Sequence, residues 1–325
     1  MTTTTCDLTA AVELARLAPS VHNTQPWTFR IDGDDLVLSR DTDRRLPALD
    51  PTGRQQVLSC GAALHLARLA LRVQGFDSTV TPPATVTGEG ELARVSPVAG
   101  HMVTSEDVAL AQAARTRHTQ RGPFDPGVLP ADVVAAIRSA GEEQGVWVRI
   151  VDQPDDLAAL TVLLARADEQ EREDEAYQAE LAGWTDRPAG ASVGMPSAAT
   201  PDVHQRASNL RLRDFGVTDS ASAGLSAAGD TPPEVERPLA VVIGTEQDTA
   251  ADWLRAGSAL MAVLLRAAVD GVQAQPLGQV IDHEWTRARL GAELGVVGHP
   301  QMVLRMGYGR PGPDTPRRPV AEVLD

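Results

Sequence analysis

Two stretches of this 325-residue chain repeat each other. LSCGAALHLARLALRVQG (58–75) and LRAGSALMAVLLRAAVDG (254–271) coincide at Leu58/Leu254, Gly61/Gly257, Ala63/Ala259, Leu64/Leu260 and Gly75/Gly271. In each, 14 residues separate the two glycines. Segments in which a helix runs into a Trp-led strand also recur, LARLAPSVHNTQPWTFRI and VAAIRSAGEEQGVWVRI. Paired features in the same order predict two related halves packed about a pseudo-two-fold axis. The length agrees, since about 150 residues per domain predicts about two domains.

Composition removes several functions. The net charge is −15, which disfavours a duplex nucleic-acid partner. All 29 basic residues are Arg, so neither a phosphate-binding loop with its Lys nor a Schiff-base lysine is possible. Cys6 and Cys60 are too few for a disulfide framework. No run approaches 18 uncharged apolar residues, so no membrane span is expected. The start lacks a basic region and a long apolar run, so no leader is expected and a cytoplasmic location is. The seven His include no i, i+4 pair, and no metal site is expected. Aromatic residues are only 3%, so the core must rest on Ala, Leu and Val.

Periodicity predicts helices over 8–18, 55–74, 106–115, 131–140, 154–181 and 252–270. The middle of the fifth, 168–175, is dense in charge and is expected in solvent. Strands are predicted over 27–31 and 36–39, joined as a hairpin, and over 147–151, 239–244 and 301–306. Residues 183–237 are rich in Gly, Ala, Ser, Pro and Asp and show little period, which reads as a lid-like insertion or as disorder.

Two motifs fail in context. Gly307-Tyr308-Gly309-Arg310-Pro311-Gly312 has the dinucleotide spacing, but Pro311, Pro313 and Pro316 forbid the helix that must follow. Gly190-Ala191-Ser192-Val193-Gly194 has the nucleophile-elbow spacing without a flanking strand or helix. No nucleophile or base stands out, so no catalytic side chain is assigned.

Three other segments carry chemistry. Ala18-Pro19-Ser20-Val21-His22-Asn23-Thr24-Gln25-Pro26-Trp27 is a stiff connection crowded with hydroxyls and amides, fit to face a polar ligand. In Arg115-Thr116-Arg117-His118-Thr119-Gln120-Arg121-Gly122-Pro123-Phe124, an extended backbone turns Arg117, Thr119 and Arg121 the same way, a pattern suited to phosphate. Arg317-Arg318 offers a second clamp.

APSVHNTQPW resembles the A-P-S-x-x-N-x-Q-P-W loop of nitroreductase-family flavoproteins. RHTQRGPF is similar to their R-x-S/T-x-K/R-x-F element. GSALMAVLLRAAVDGVQAQPLGQV resembles their later long helix and Pro-x-Gly turn, and VLRMGYGRP with PRRPVAEV resembles their closing strand and tail. Together these cover most of the chain. The order is unusual, because the Pro-Ser-Asn loop here precedes the Arg element. This resembles the Acg subfamily, in which one chain imitates the nitroreductase dimer.

The resemblance implies an α+β fold with two halves, 1–105 and 106–325, each a mainly antiparallel sheet flanked by helices, with 183–237 inserted. It implies one bound FMN per chain, at a site shared between halves, with the second site degenerate. Arg117 and Thr119, with Arg317 or Arg318, would hold the phosphate, with His118 beside them. Arg121 would stand near N1 and O2 of the isoalloxazine. Pro19, Ser20, Asn23 and Gln25 would contribute from the first half, and the backbone at Pro276, Leu277 and Gly278 would face N5. NAD(P)H is the implied donor and a nitro compound, quinone or similar molecule the acceptor. The rival reading is a protein that sequesters FMN under a closed lid, or a specialised oxidase or reductase of one metabolite. The pseudo-dimer is expected to be a monomer in solution.

Overall fold

The computed structural model describes residues 6–82, 90–185, 187–188, 190–195, 210 and 236–325. Most of the segment read as a lid, namely 196–209 and 211–235, lies outside the described residues.

The first part of the chain forms α1 (Leu8–Ala15), β1 (Trp27–Asp32), β2 (Asp35–Arg40), α2 (Arg54–Val73), β3 (Phe76–Thr81) and β4 (Glu91–Ala99). Its four strands make an antiparallel sheet in the order β1-β2-β4-β3. The remainder begins with α3 (Ser105–Thr116), α4 (Ala131–Glu142), β5 (Trp147–Val151), α5 (Pro154–Glu173) and α6 (Glu175–Thr185). It continues with β6 (Leu239–Thr245), α7 (Ala250–Val269), β7 (Gln273–Pro276), α8 (Gln279–Asp282), α9 (Glu284–Glu293) and β8 (His299–Gly307). Its sheet runs β5-β6-β8-β7, the same topology advanced by four strands. A register irregularity falls at Leu38/Ser39 in one sheet and at Ile243/Gly244 in the counterpart pair of the other. The fold is α+β with two related halves.

The halves meet through the repeated helices. A Cβ on Gly61 would lie 2.0 Å from the Leu254 carbonyl oxygen, and one on Gly257 would lie 1.9 Å from that of Leu58. Each glycine thus meets the partner of the other, as a two-fold contact requires. Ser258 Oγ donates to the Gly61 carbonyl at 3.0 Å. Both helices are buried for most of their length, and one apolar cluster runs from α1 across both to β8. Such helices are apolar nearly all round because they are surrounded by protein.

The chain also crosses between halves at its end. Phe29 N donates to the Val323 carbonyl, and Asp325 N to that of Phe29, so the tail extends the β1 edge. Gln120 N donates to the Ala274 carbonyl, which lays the Arg element on β7.

Three expectations need correction. The helix read over 154–181 is two helices, because Asp174 is extended (φ −84, ψ 101) and its carboxylate caps Tyr177 N. Asp168 and Glu171, expected in solvent, are each only 4% exposed on the inner face of α5. Strands β3, β4 and β7 and helices α8 and α9 were not read from the sequence. Strand β3 buries little beyond Phe76, and α9 buries only Thr286 and Leu290. Both therefore lack the apolar stripe that periodicity detects.

Glycines of the rejected dinucleotide motif have another use. A Cβ on Gly307 would strike the Phe124 ring at 2.9 Å, and one on Gly312 would come within 2.1 Å of the Thr119 carbonyl oxygen. They let the Arg element lie flat against β8 and the strand's continuation.

Gly257→Ala should force α2 and α7 apart at a backbone contact and lower stability by about 3 kcal/mol. Urea unfolding measures this, and a wild-type midpoint would show that the crossing is soft. His65 gives a second expectation. Burial pushes its imidazole down to about 3, with Arg72 and Arg68 adding to the effect. The unfolded chain binds this proton near 6.5 while the folded one does not, so stability present above about 6.5 is lost as the pH falls towards 3. The loss is about 1.4 kcal/mol per pH unit. His65→Gln should flatten the stability profile between pH 6.5 and 4, and an unchanged slope would assign acid sensitivity elsewhere.

Candidate functional site

A cleft lies where the two halves meet. Its cavity volume is about 100 Å³, and it opens to solvent at its mouth. The first half supplies Pro19, Ser20, Val21 and His22, with Gln55, Leu58 and Ser59 from α2. The second supplies Thr119 and Arg121, Leu260 of α7, Pro276, Gly278 and Asp282, Met302 of β8, and Met195. Leu58, Leu260, Met302 and Pro276 make much of the lining apolar, with polar groups around them.

The loop from Pro19 is held in an unusual conformation. His22, Asn23 and Gln25 have φ of 47°, 55° and 50°. Left-handed backbone in side-chain-bearing residues costs roughly 1 kcal/mol or more each and persists only where the surroundings enforce it. The enforcing bonds are present. Ser20 Oγ accepts from Gln25 N at 2.9 Å. Asn23 Nδ2 donates to the carbonyls of Gly194 and Pro316, both at 3.0 Å. Gln25 Nε2 donates to the Ser192 carbonyl at 2.7 Å. Asn23 and Gln25 thus spend their amides on the protein, while Pro19 and Ser20 line the cleft.

The Arg element divides only partly as alternation predicts, because Arg117 does not line the cleft with Thr119 and Arg121. Thr119 and Arg121 face the cleft, and an Arg121 Nη2 lies 3.3 Å from Met195 Sδ. His118 faces a different depression with Arg115 and Arg187, where its Nε2 is 3.0 Å from Asp314. Burial lowers the His118 pKa against the opposing pull of Asp314. Arg117 has no ion pair among the described residues, and its buried Nε has no partner there. Burial pushes its guanidinium down to about 10.

The tail separates its two arginines. Arg317 Nη1 donates to Asn23 Oδ1 and to Thr315, and its Nε is buried without a partner. Burial and then repulsion from Arg117, Arg16 and Arg121 push it down to about 9. Arg16 is itself tied to Glu13 at 2.9 Å. Arg318 is a structural cation, because it donates to the Gln25 and Trp27 carbonyls and pairs with Asp41. Of the two tail arginines, Arg317 is the one beside Arg117.

Near the turn at 276–278, Pro276 and Gly278 line the cleft. Leu277 does not, since its side chain is fully buried in the apolar cluster behind β8. Its N donates to the Val303 carbonyl at 2.8 Å. On the cleft floor, Arg54 pairs with Asp282 at 2.9 Å, and Gln55 Nε2 donates to the same carboxylate oxygen. Gln55, Ser59, Met302 and Asp282 were not foreseen. Leu58 and Leu260 belong to the repeat and read as core, which they also are.

No family profile matches the chain. It is 34% identical over 317 residues to a protein of Mycobacterium tuberculosis (strain H37Rv) that is provisionally named an NAD(P)H nitroreductase, covering 96% of this chain and 89% of that one. It is 31% identical over 335 residues to the similarly named Acg of the same strain, covering 99% and 96%. Among solved structures it is similar to the FMN-dependent nitroreductase NfnB of Mycobacterium smegmatis in complex with NADPH. That match has 18% identity and a TM-score of 0.40, over 66% of this chain and 97% of that one. The chain belongs to the NAD(P)H nitroreductase family, in its Acg-like branch.

Arg117 carries a charge with no carboxylate partner among the described residues. Arg117→Met should therefore raise the stability of the ligand-free protein by about 1–2 kcal/mol. Thermal unfolding of the ligand-free variant tests this, and a loss of stability would mean that Arg117 has a structural partner.

Proposed function

We infer that the chain binds one FMN in the cleft between its halves and acts as an NAD(P)H-dependent oxidoreductase on a nitro compound, quinone or similar small acceptor. The observation that carries this reading is the uncompensated arginine pair. Arg117 and Arg317 lie close enough to repel each other and have no carboxylate partner among the described residues, which supports a phosphate dianion there, although both Arg317 Nη atoms already donate to Asn23, Thr315, Pro316 and Leu17. A planar, largely apolar ring system fits the cleft between Leu58, Leu260, Pro276 and Met302.

FMN, when bound, supplies the chemistry by accepting hydride at N5 and passing electrons on. The chain's residues position and tune. Arg117 and Arg317, with the Thr119 hydroxyl, hold the phosphate. Arg121, which lines the cleft, would place positive charge beside the pyrimidine edge of a bound flavin, a charge that would favour the reduced cofactor. Ser20 and the Pro19 backbone close the ring edge from the first half. The backbone at Pro276 and Gly278 lines the face where hydride arrives. No protein nucleophile is required. In this reading the division falls at 1–105 and 106–325, and the chain is a monomer because its dimer-like interface is internal.

The test is titration of ligand-free protein with FMN and with riboflavin, followed by anaerobic mixing with NADH and NADPH while absorbance near 450 nm is recorded. One FMN per chain, much weaker riboflavin binding and rapid bleaching are expected. Arg117→Met should weaken FMN binding at least tenfold and riboflavin binding little. Two FMN per chain, or equal affinity for both flavins, would overturn the assignment. A bound flavin that dithionite bleaches and neither nicotinamide does would favour sequestration.

A further inference from the structure

Arg305 and Glu236 form a buried ion pair that the cofactor reading does not use. Arg305 on β8 has no exposed surface, and Glu236, which immediately precedes β6 and its lead-in, is 1% exposed. They form an ion pair through Arg305 Nη2 and Glu236 Oε1. Arg305 Nη1 donates to Gln275 Oε1 at 2.9 Å and to the Gly122 carbonyl at 3.2 Å. Phe124 N donates to Glu236 Oε2. The guanidinium stands 4.3 Å from the centroid of the Phe124 ring.

These bonds join two cleft walls. One is the turn that follows Arg121, held at Gly122 and Phe124. The other is β7, held at Gln275 one residue before Pro276. A buried ion pair adds little net stability over well-packed apolar residues, and its best-attested use is to fix one arrangement among several. Both Nη atoms of Arg305 bond across the two walls, while its buried Nε has no partner among the described residues.

We propose that Glu236 and Arg305 are positioning residues that fix Arg121 relative to the ring-facing backbone at 276–278, and so set how strongly the site favours reduced over oxidised flavin. The proposal rests on the FMN reading above. It concerns geometry alone, since neither side chain lines the cleft.

The experiment compares the FMN-loaded wild type with three variants: E236L/R305M, R121Q and R121Q/E236L/R305M. For each, the flavin midpoint potential and the melting temperature without FMN are measured. In E236L/R305M, reduced FMN should lose about tenfold more affinity than oxidised FMN, a potential about 30 mV more negative. In the R121Q background the same two changes should shift the potential no further, because their effect acts through Arg121. A wild-type potential in E236L/R305M would show that the pair supports the fold only, and an equal shift in both backgrounds would show that its effect does not act through Arg121; either result overturns the proposal. If E236L/R305M does not fold, Glu236→Gln keeps an acceptor for Phe124 N and is read the same way, with a smaller shift expected and no shift overturning the proposal. Failure of wild-type protein to bind FMN would overturn the cofactor reading and this inference with it. FMN binding with an unmoved potential would overturn the inference alone.

Discussion

Everything in this structure depends on two glycines that let two helices touch backbone to backbone. Gly61 and Gly257 each leave a space in which a methyl group would lie about 2 Å from a carbonyl oxygen of the other helix. An approach that close fixes the relation of the halves without any long side chain. It also explains how a core so poor in aromatics holds together, since Ala, Leu and Val suffice where backbones meet. The cleft is a consequence, because Leu58 and Leu260 line it from the two crossing helices. A shift at the crossing moves both walls at once.

Arginines in this lysine-free chain meet burial in opposite ways. Arg305 is matched by Glu236, and Arg54 by Asp282, and each also donates to further acceptors. Arg117 and Arg317 are brought together with Arg121 near them and are given no carboxylate among the described residues. Folding would remove such a cluster if structure were its only use, since unpaired charge out of water is unfavourable. The contrast separates arginines that have a carboxylate partner from two that have none among the described residues.

The repeat and the three motifs made the architecture legible in advance, and part of the cleft: Pro19, Ser20, Thr119, Arg121, Pro276 and Gly278 line it. The repeat predicts the helix pair, and the observed topology, one sheet order advanced by four strands, extends it beyond the matched letters. Alternation grouped Arg117, Thr119 and Arg121; Thr119 and Arg121 do line the cleft and His118 faces elsewhere, but Arg117 is not among the lining residues. What stayed hidden depends on long-range pairing. Adjacent Arg317 and Arg318 look alike in sequence, yet one joins Arg117 while the other is absorbed by the carbonyls of Gln25 and Trp27. Asn23 and Gln25 look like ligand contacts because they are polar and crowded. Their partners lie at Ser192, Gly194 and Pro316, more than 160 residues away, and no local pattern points there.

Those distant partners bear on when the site exists at all. Three left-handed residues in one short loop are unfavourable alone, and the bonds that enforce them come from residues 192–194 and from the tail. The tail also carries Arg317 and ends as an added strand on β1. The loop therefore reaches its shape only after the last residues of the chain have returned to the first half. Ser20 and Pro19 at the cleft, and Arg317 beside Arg117, are set by the same closing step. Shape and charge at the site are thus assembled together, so a chain lacking its final segment should hold both sheets but neither the strained loop nor the paired arginines.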